Sequence, residues 1–97
     1  MRISRDTLEF EWDEGNKGKN LKKHGVTDGE SEETFFDTKK KIFKDVLHSD
    51  AEKRYVLLGQ TKQRRVLFIA FTKRKSKVRI ISSRPLNRKE KHLYEKT

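Results

Sequence analysis

The residues in this chain best suited to chemistry on a charged substrate are arginines set in apolar, strand-like segments: Arg65, Arg79 and Arg84. A guanidinium stays charged at any working pH and grips two phosphate oxygens at once, so these three are the first candidates for phosphate contacts. Lys23 is a further charge donor, and Glu52, one of only three acids after residue 50, is a candidate general base. The run Lys73-Arg74-Lys75, with Lys77 and Arg54, offers cations that would steer a polyanion toward them. An imidazole ordinarily titrates near neutrality, which makes His24 a candidate acid or base, and Tyr94 adds a hydroxyl. If the phosphate chain they meet is RNA, such a set can break it without a metal. The ribose 2′-hydroxyl attacks, and the protein orients it, helps remove its proton, stabilises the phosphorane charge and protonates the leaving 5′ oxygen. His24, His48 and His92 stand far apart with no acids at metal-ligand spacing, and there is no cysteine, so neither a metal nor a cofactor is expected.

Each candidate also has a plainer role. Arg79 would pair with Glu52 or another acid and pin a sheet, Arg65 would be a solvated strand edge, and Glu52 would form a surface ion pair near Arg54. His24, on the apolar side of a helix beside Leu21, would fix the turn into Gly25. Tyr94 would be a core residue, as would Phe10 and Trp12. The Lys73–Lys77 region would be a soluble turn.

The charge distribution narrows the substrate. Of 97 residues, 25 are Lys or Arg and 15 Asp or Glu, a net charge of +10. Residues 1–50 hold 10 basic and 12 acidic side chains, whereas residues 51–97 hold 15 and three. The whole excess lies in the second half, which should bind a polyanion with steep salt dependence through counterion release. With 31% hydrophobic and 41% charged residues, the chain suffices for one modest core and one domain over 1–97. No apolar run approaches the roughly 20 residues of a membrane span and no signal segment is visible, so a cytoplasmic protein without a membrane role is expected.

Leu8, Phe10 and Trp12 alternate with Glu9 and Glu11, predicting a short extended stretch with one buried face. Asp13 is placed to cap a helix over about 14–24, which Gly25 would end in the left-handed conformation. Thr27 and Glu30 have capping-box spacing, predicting a second helix from about 28 to 37 that puts Phe35 or Phe36 in the core. Segments 54–59, 65–72 and 77–83 read as strands, and Ile42, Phe43 and Val46 mark a weaker one. Gaps of about five residues force the last three into an antiparallel meander. Residues 66–71 are apolar without alternation, so their strand should be covered on both faces, by helices on one and a partner on the other. A period of two places Arg79 on the face of Ile81 and Arg84 on the opposite one. Asn87 and Glu90 cap a last helix over 88–96, anchored by Leu93 and Tyr94. The fold class is α+β: N-terminal helices, a four-stranded antiparallel meander, and a C-terminal helix.

The string Phe10-Glu11-Trp12-Asp13, then Asn20, Lys23-His24-Gly25-Val26, Phe36-Asp37, His48-Ser49, Arg54, Gly59, Arg65-Val66-Leu67, Phe71-Thr72, Arg79-Ile80-Ile81-Ser82 with Arg84, and Tyr94-Glu95 resembles the BrnT toxin family over nearly the whole chain. The resemblance implies a small RelE-like endoribonuclease that cleaves RNA without needing the ribosome. It also implies a tight complex with a BrnA-like ribbon-helix-helix antitoxin, a toxin dimer bridged by that antitoxin, and contact with operator DNA only through it. The expected function is therefore a metal-independent ribonuclease toxin. Two alternatives stand beside it: a non-catalytic nucleic-acid-binding or co-repressor module, and an interaction protein whose basic face only docks an acidic antitoxin segment.

Overall fold

The computed structural model describes residues 8–47 and 52–96, and His48 and Ser49 lie outside them. The opening alternation becomes β1 (Glu9–Phe10), and α1 (Lys19–His24), α2 (Asp28–Glu33) and a 3₁₀ turn (Thr34–Phe36) follow. Then come β2 (Lys41–Asp45), β3 (Arg54–Gln60), β4 (Val66–Arg74), β5 (Lys77–Pro85) and α3 (Arg88–Glu95). No helix among the described residues is long and apolar enough to cross a membrane.

The sheet runs β1-β5-β4-β3-β2. Strands β2 to β5 form the antiparallel meander, with Leu57 opposite Ile69 and Phe71 opposite Ile80. A four-stranded, purely antiparallel sheet was one strand short: β1 adds a fifth, parallel to β5, with Phe10 opposite Val78. The reason is burial. Leu8, Phe10 and Trp12 pack against the core, and the long chain between β1 and β5 permits a parallel pairing.

Helix α1 starts later than residue 14. Asp13 closes a separate turn instead, its carbonyl accepting from the amides of Asn16 and Lys17, and Gly18 at φ 71° breaks the helical path before Lys19. Gly25, at φ 70°, ends α1 in the left-handed conformation that only glycine adopts freely. Both capping boxes form, at Thr27/Glu30 and Asn87/Glu90. The second helix tightens to 3₁₀ at Thr34, which sends Phe35 into the core and leaves Phe36 partly exposed.

One face of the sheet carries the core: Leu57, Leu67, Ile69, Phe71, Val78 and Ile80, closed by Val26 and Phe35. Helix α3 buries no residue fully and covers only part of the opposite, open face. The expected face for Arg84 is corrected by a β-bulge. Ala70 pairs with Ser82 but Phe71 with Ile80, so Ile81 is the extra residue, and the buried positions of β5 are Val78, Ile80 and then Ser83. Arg79 and Arg84 therefore share the open face.

Candidate functional site

Across the open face, register builds a polar row from Asp45 on β2 through Arg54 on β3 and Thr72 on β4 to Arg79 on β5. The side chain of Arg79 is only 16% accessible. Its two terminal nitrogens donate to the two carboxylate oxygens of Asp13 at 2.8 and 2.9 Å, and Glu11 lies at 3.4 Å. Arg74, one step along β4, donates through Nε and Nη2 to Glu52 at 2.6 and 2.8 Å and reaches Glu11 at 3.4 Å. Two arginines and three carboxylates thus interlock, and Arg54 adds its charge near Glu52. The Arg79 guanidinium, then the Gly15 amide, holds Asp13 below the usual carboxylate range, and Arg74 does the same for Glu52. In return Glu52 pushes the Arg74 pKa up, and Asp13 that of Arg79. Lys73, Lys75 and Lys77 surround the adjoining hairpin tip and are exposed.

The remaining candidates lie elsewhere. Arg84 sits on the same face four β4 positions away, about 13 Å along an extended strand, with its guanidinium 4.0 Å above the Phe68 ring and bidentate to Glu90 at 2.8 Å. Arg65 precedes β4 at the end remote from Arg74. It donates to the Gly25 carbonyl at 2.9 Å and to Glu30 at 3.2 Å, tying the two helices to the sheet. Lys23 and His24, in the last turn of α1, stand at that same remote end on the helical side. The structure brings Glu52, Arg74, Arg79 and Arg54 together and leaves Lys23, His24 and Arg65 apart from them.

Tyr94 donates to Asp37 at 2.6 Å, docking α3, and is half-buried rather than a core residue. Burial pushes the Asp37 carboxyl up, but the Tyr94 hydroxyl and the amides of Lys39 and Gln60 outweigh it and hold it low. Arg84 holds Glu90 low against burial. With Asp13, Glu30 and Glu52 also lowered, these carboxylates contribute stability in full above their unfolded values, 3.8 for Asp and 4.5 for Glu, and lose it as pH falls through the folded ones. The midpoint of urea unfolding, followed by circular dichroism, should stay level from neutral pH to about 5 and fall below about 4.5. A midpoint that rises on acidification would contradict these pairings.

Sequence reasoning passed over Glu11, Asp13 and Thr72 as site residues. Glu11 was within reach: if Phe10 and Trp12 face inward, Glu11 faces the open side. Asp13 was not, because its partner is 66 positions away. A groove of about 450 Å³ separates α3 from the sheet, lined by Phe43, Val56, Leu58, Phe68 and Leu93. Near it Val46 and Leu47 are 75% and 89% exposed.

A family model described as "Ribonuclease toxin, BrnT, of type II toxin-antitoxin system" matches residues 12–90, most of the chain. A comparison with curated proteins gave no match.

Proposed function

This chain belongs to the BrnT family of type II toxin-antitoxin ribonucleases, and from that premise we propose that it cuts RNA internally, without a metal ion, on the open face of its sheet. The observation that carries the proposal is the Arg74–Arg79 pair held on that face by Glu11, Asp13 and Glu52. An incoming phosphodiester competes with the carboxylates for both guanidiniums, which then stabilise the phosphorane charge. The same exchange releases Glu52, leaving its carboxylate beside the 2′-hydroxyl as the proton acceptor. Lys73, Lys75 and Lys77 steer the polyanion, and Arg84 sits where the chain would continue along the face.

A toxin of this class is restrained by a protein antitoxin. The proposed partner is a BrnA-like ribbon-helix-helix protein that covers the exposed apolar groove beside α3, bridges two toxins and carries them to operator DNA, all in the cytoplasm.

Pure protein incubated with total RNA in EDTA should leave 2′,3′-cyclic phosphate ends, and the rate should fall steeply as salt rises from about 50 to 200 mM. One observation favours a second reading, a non-catalytic binding module: Arg65, Arg74, Arg79 and Arg84 all hold carboxylates already. RNA retained without new cyclic ends would establish that reading and reject the nuclease.

A further inference from the structure

Thr72 is 3% exposed, and its Oγ1 is one of two buried side-chain polar atoms among the described residues without a hydrogen-bond partner. Phe71 before it enters the core, so Thr72 points the other way, into the row between Arg54 and Arg79. A buried hydroxyl with no partner is costly, and valine would fill the same space without the cost. A neighbouring guanidinium can only donate to the oxygen, which would still leave the hydroxyl hydrogen without an acceptor.

We propose that the Thr72 hydroxyl is a substrate-binding group, donating its hydrogen to a non-bridging oxygen of the phosphodiester that displaces Asp13 from Arg79. The proposal rests on the reading of the open face as the RNA site and adds a residue to it. Asp13 occupies the Arg79 fork with both oxygens and makes no bond to the hydroxyl of Thr72, the cross-strand neighbour of Arg79. A phosphate is tetrahedral. When two of its oxygens lie on the guanidinium, its remaining lone pairs project out of that plane and can accept from a hydroxyl on the neighbouring strand, the position that Thr72 holds opposite Arg79. The bond therefore forms only with substrate in place.

The test compares Thr72→Val with Thr72→Ser, measuring cleavage of an RNA oligonucleotide and binding of its non-cleavable 2′-deoxy analogue at low salt. Thr72→Val should cleave about tenfold more slowly and bind the analogue about tenfold more weakly, consistent with one lost charge-assisted hydrogen bond. Its urea midpoint should be equal to or above that of the parent, the opposite of what loss of a structural bond would give. Thr72→Ser should stay within about threefold of the parent in both assays. Val at parental binding and cleavage overturns the Thr72 assignment while the nuclease reading stands. A parent protein that binds but never cleaves removes the nuclease reading, and the Thr72 contact is then decided by the binding arm, where a weaker Val variant supports it and an unchanged one rejects it.

Discussion

Replacing Arg79 with alanine is expected to lower the rate of RNA cleavage by at least about a hundredfold, the scale seen when one preorganised donor to a developing anion is removed. Arg79 is the candidate with the strongest geometric case: both it and Arg74 hold a carboxylate bidentately on the open face, but the Arg79 side chain is 16% accessible and that of Arg74 45%. The substitution also has a structural cost. Arg79 fastens Glu11 and Asp13, hence the chain leaving β1, to β5, and its loss leaves Asp13 without its guanidinium and Glu11 with Arg74 alone. Circular dichroism must therefore show the variant folded. Arg79→Lys separates charge from geometry: it keeps the cation but loses the fork, and should recover little of the rate. Asp13→Asn tests the exchange from the other side. If the carboxylate only holds the place of a phosphate, its neutralisation strengthens RNA binding severalfold; if it does the chemistry, the rate collapses instead. A folded Arg79→Ala protein that cleaves within threefold of the parent would remove this arginine from the mechanism.

What could be read from the sequence here is what depends on neighbours in the chain. The capping boxes at Thr27/Glu30 and Asn87/Glu90 are three-residue relations and form as spaced. The meander follows from loop length alone. The bulge at Ile81 has a non-local cause. Ser83 is drawn to the covered face because its amide donates to Asn20 Oδ1 at 2.9 Å and its hydroxyl meets that of Ser31 at 2.7 Å. Those partners lie 63 and 52 residues away, and no alternation of apolar residues within β5 announces them. A buried polar cluster thus sets the register that turns Arg84 to the same side as Arg79. For the site, the basic residues are visible by type, but their carboxylate partners are not. Glu11 and Asp13 reach Arg79 only because β1 joins the sheet parallel to β5, a pairing between segments almost 70 residues apart. Lys23 and His24 are adjacent to a helix end in sequence and remain a helix end in space, remote from the arginines they were grouped with.

The largest stability effect is expected at Phe35, which nothing in the site touches. Its ring meets Phe10 edge-on at 5.2 Å and Phe71 at 5.0 Å, and Phe71 stacks on Tyr55 at 5.6 Å, so one aromatic column joins β1, the 3₁₀ turn, β4 and β3. Phe35 is 1% exposed. Truncation to alanine removes the middle of that column and should cost about 3–5 kcal/mol. A 97-residue domain with 31% hydrophobic residues sits toward the low end of the 5–15 kcal/mol available to folded proteins, so the variant should be largely unfolded at 37 °C. Phe35→Leu keeps most of the volume and should lose no more than about half as much. Urea unfolding monitored by circular dichroism measures both. The result bears on function because β1 leads directly into Glu11 and Asp13 and is itself short, with two residues of parallel pairing. Leu8, Phe10 and Trp12 lie against the core, Trp12 Nε1 donates to Glu32 at 2.7 Å, and Arg74 and Arg79 hold the acids beyond the strand. With Phe35 shortened, β1 should detach first, freeing Arg79 from its carboxylates before the rest of the sheet opens. Hydrogen exchange in Phe35→Leu should therefore rise at the Glu11 amide, which donates to the Val78 carbonyl at 2.8 Å, before it rises in β3 and β4. Uniform acceleration across all five strands would mean that β1 and the meander open as one unit, and that the arginine pair is never released by fraying alone.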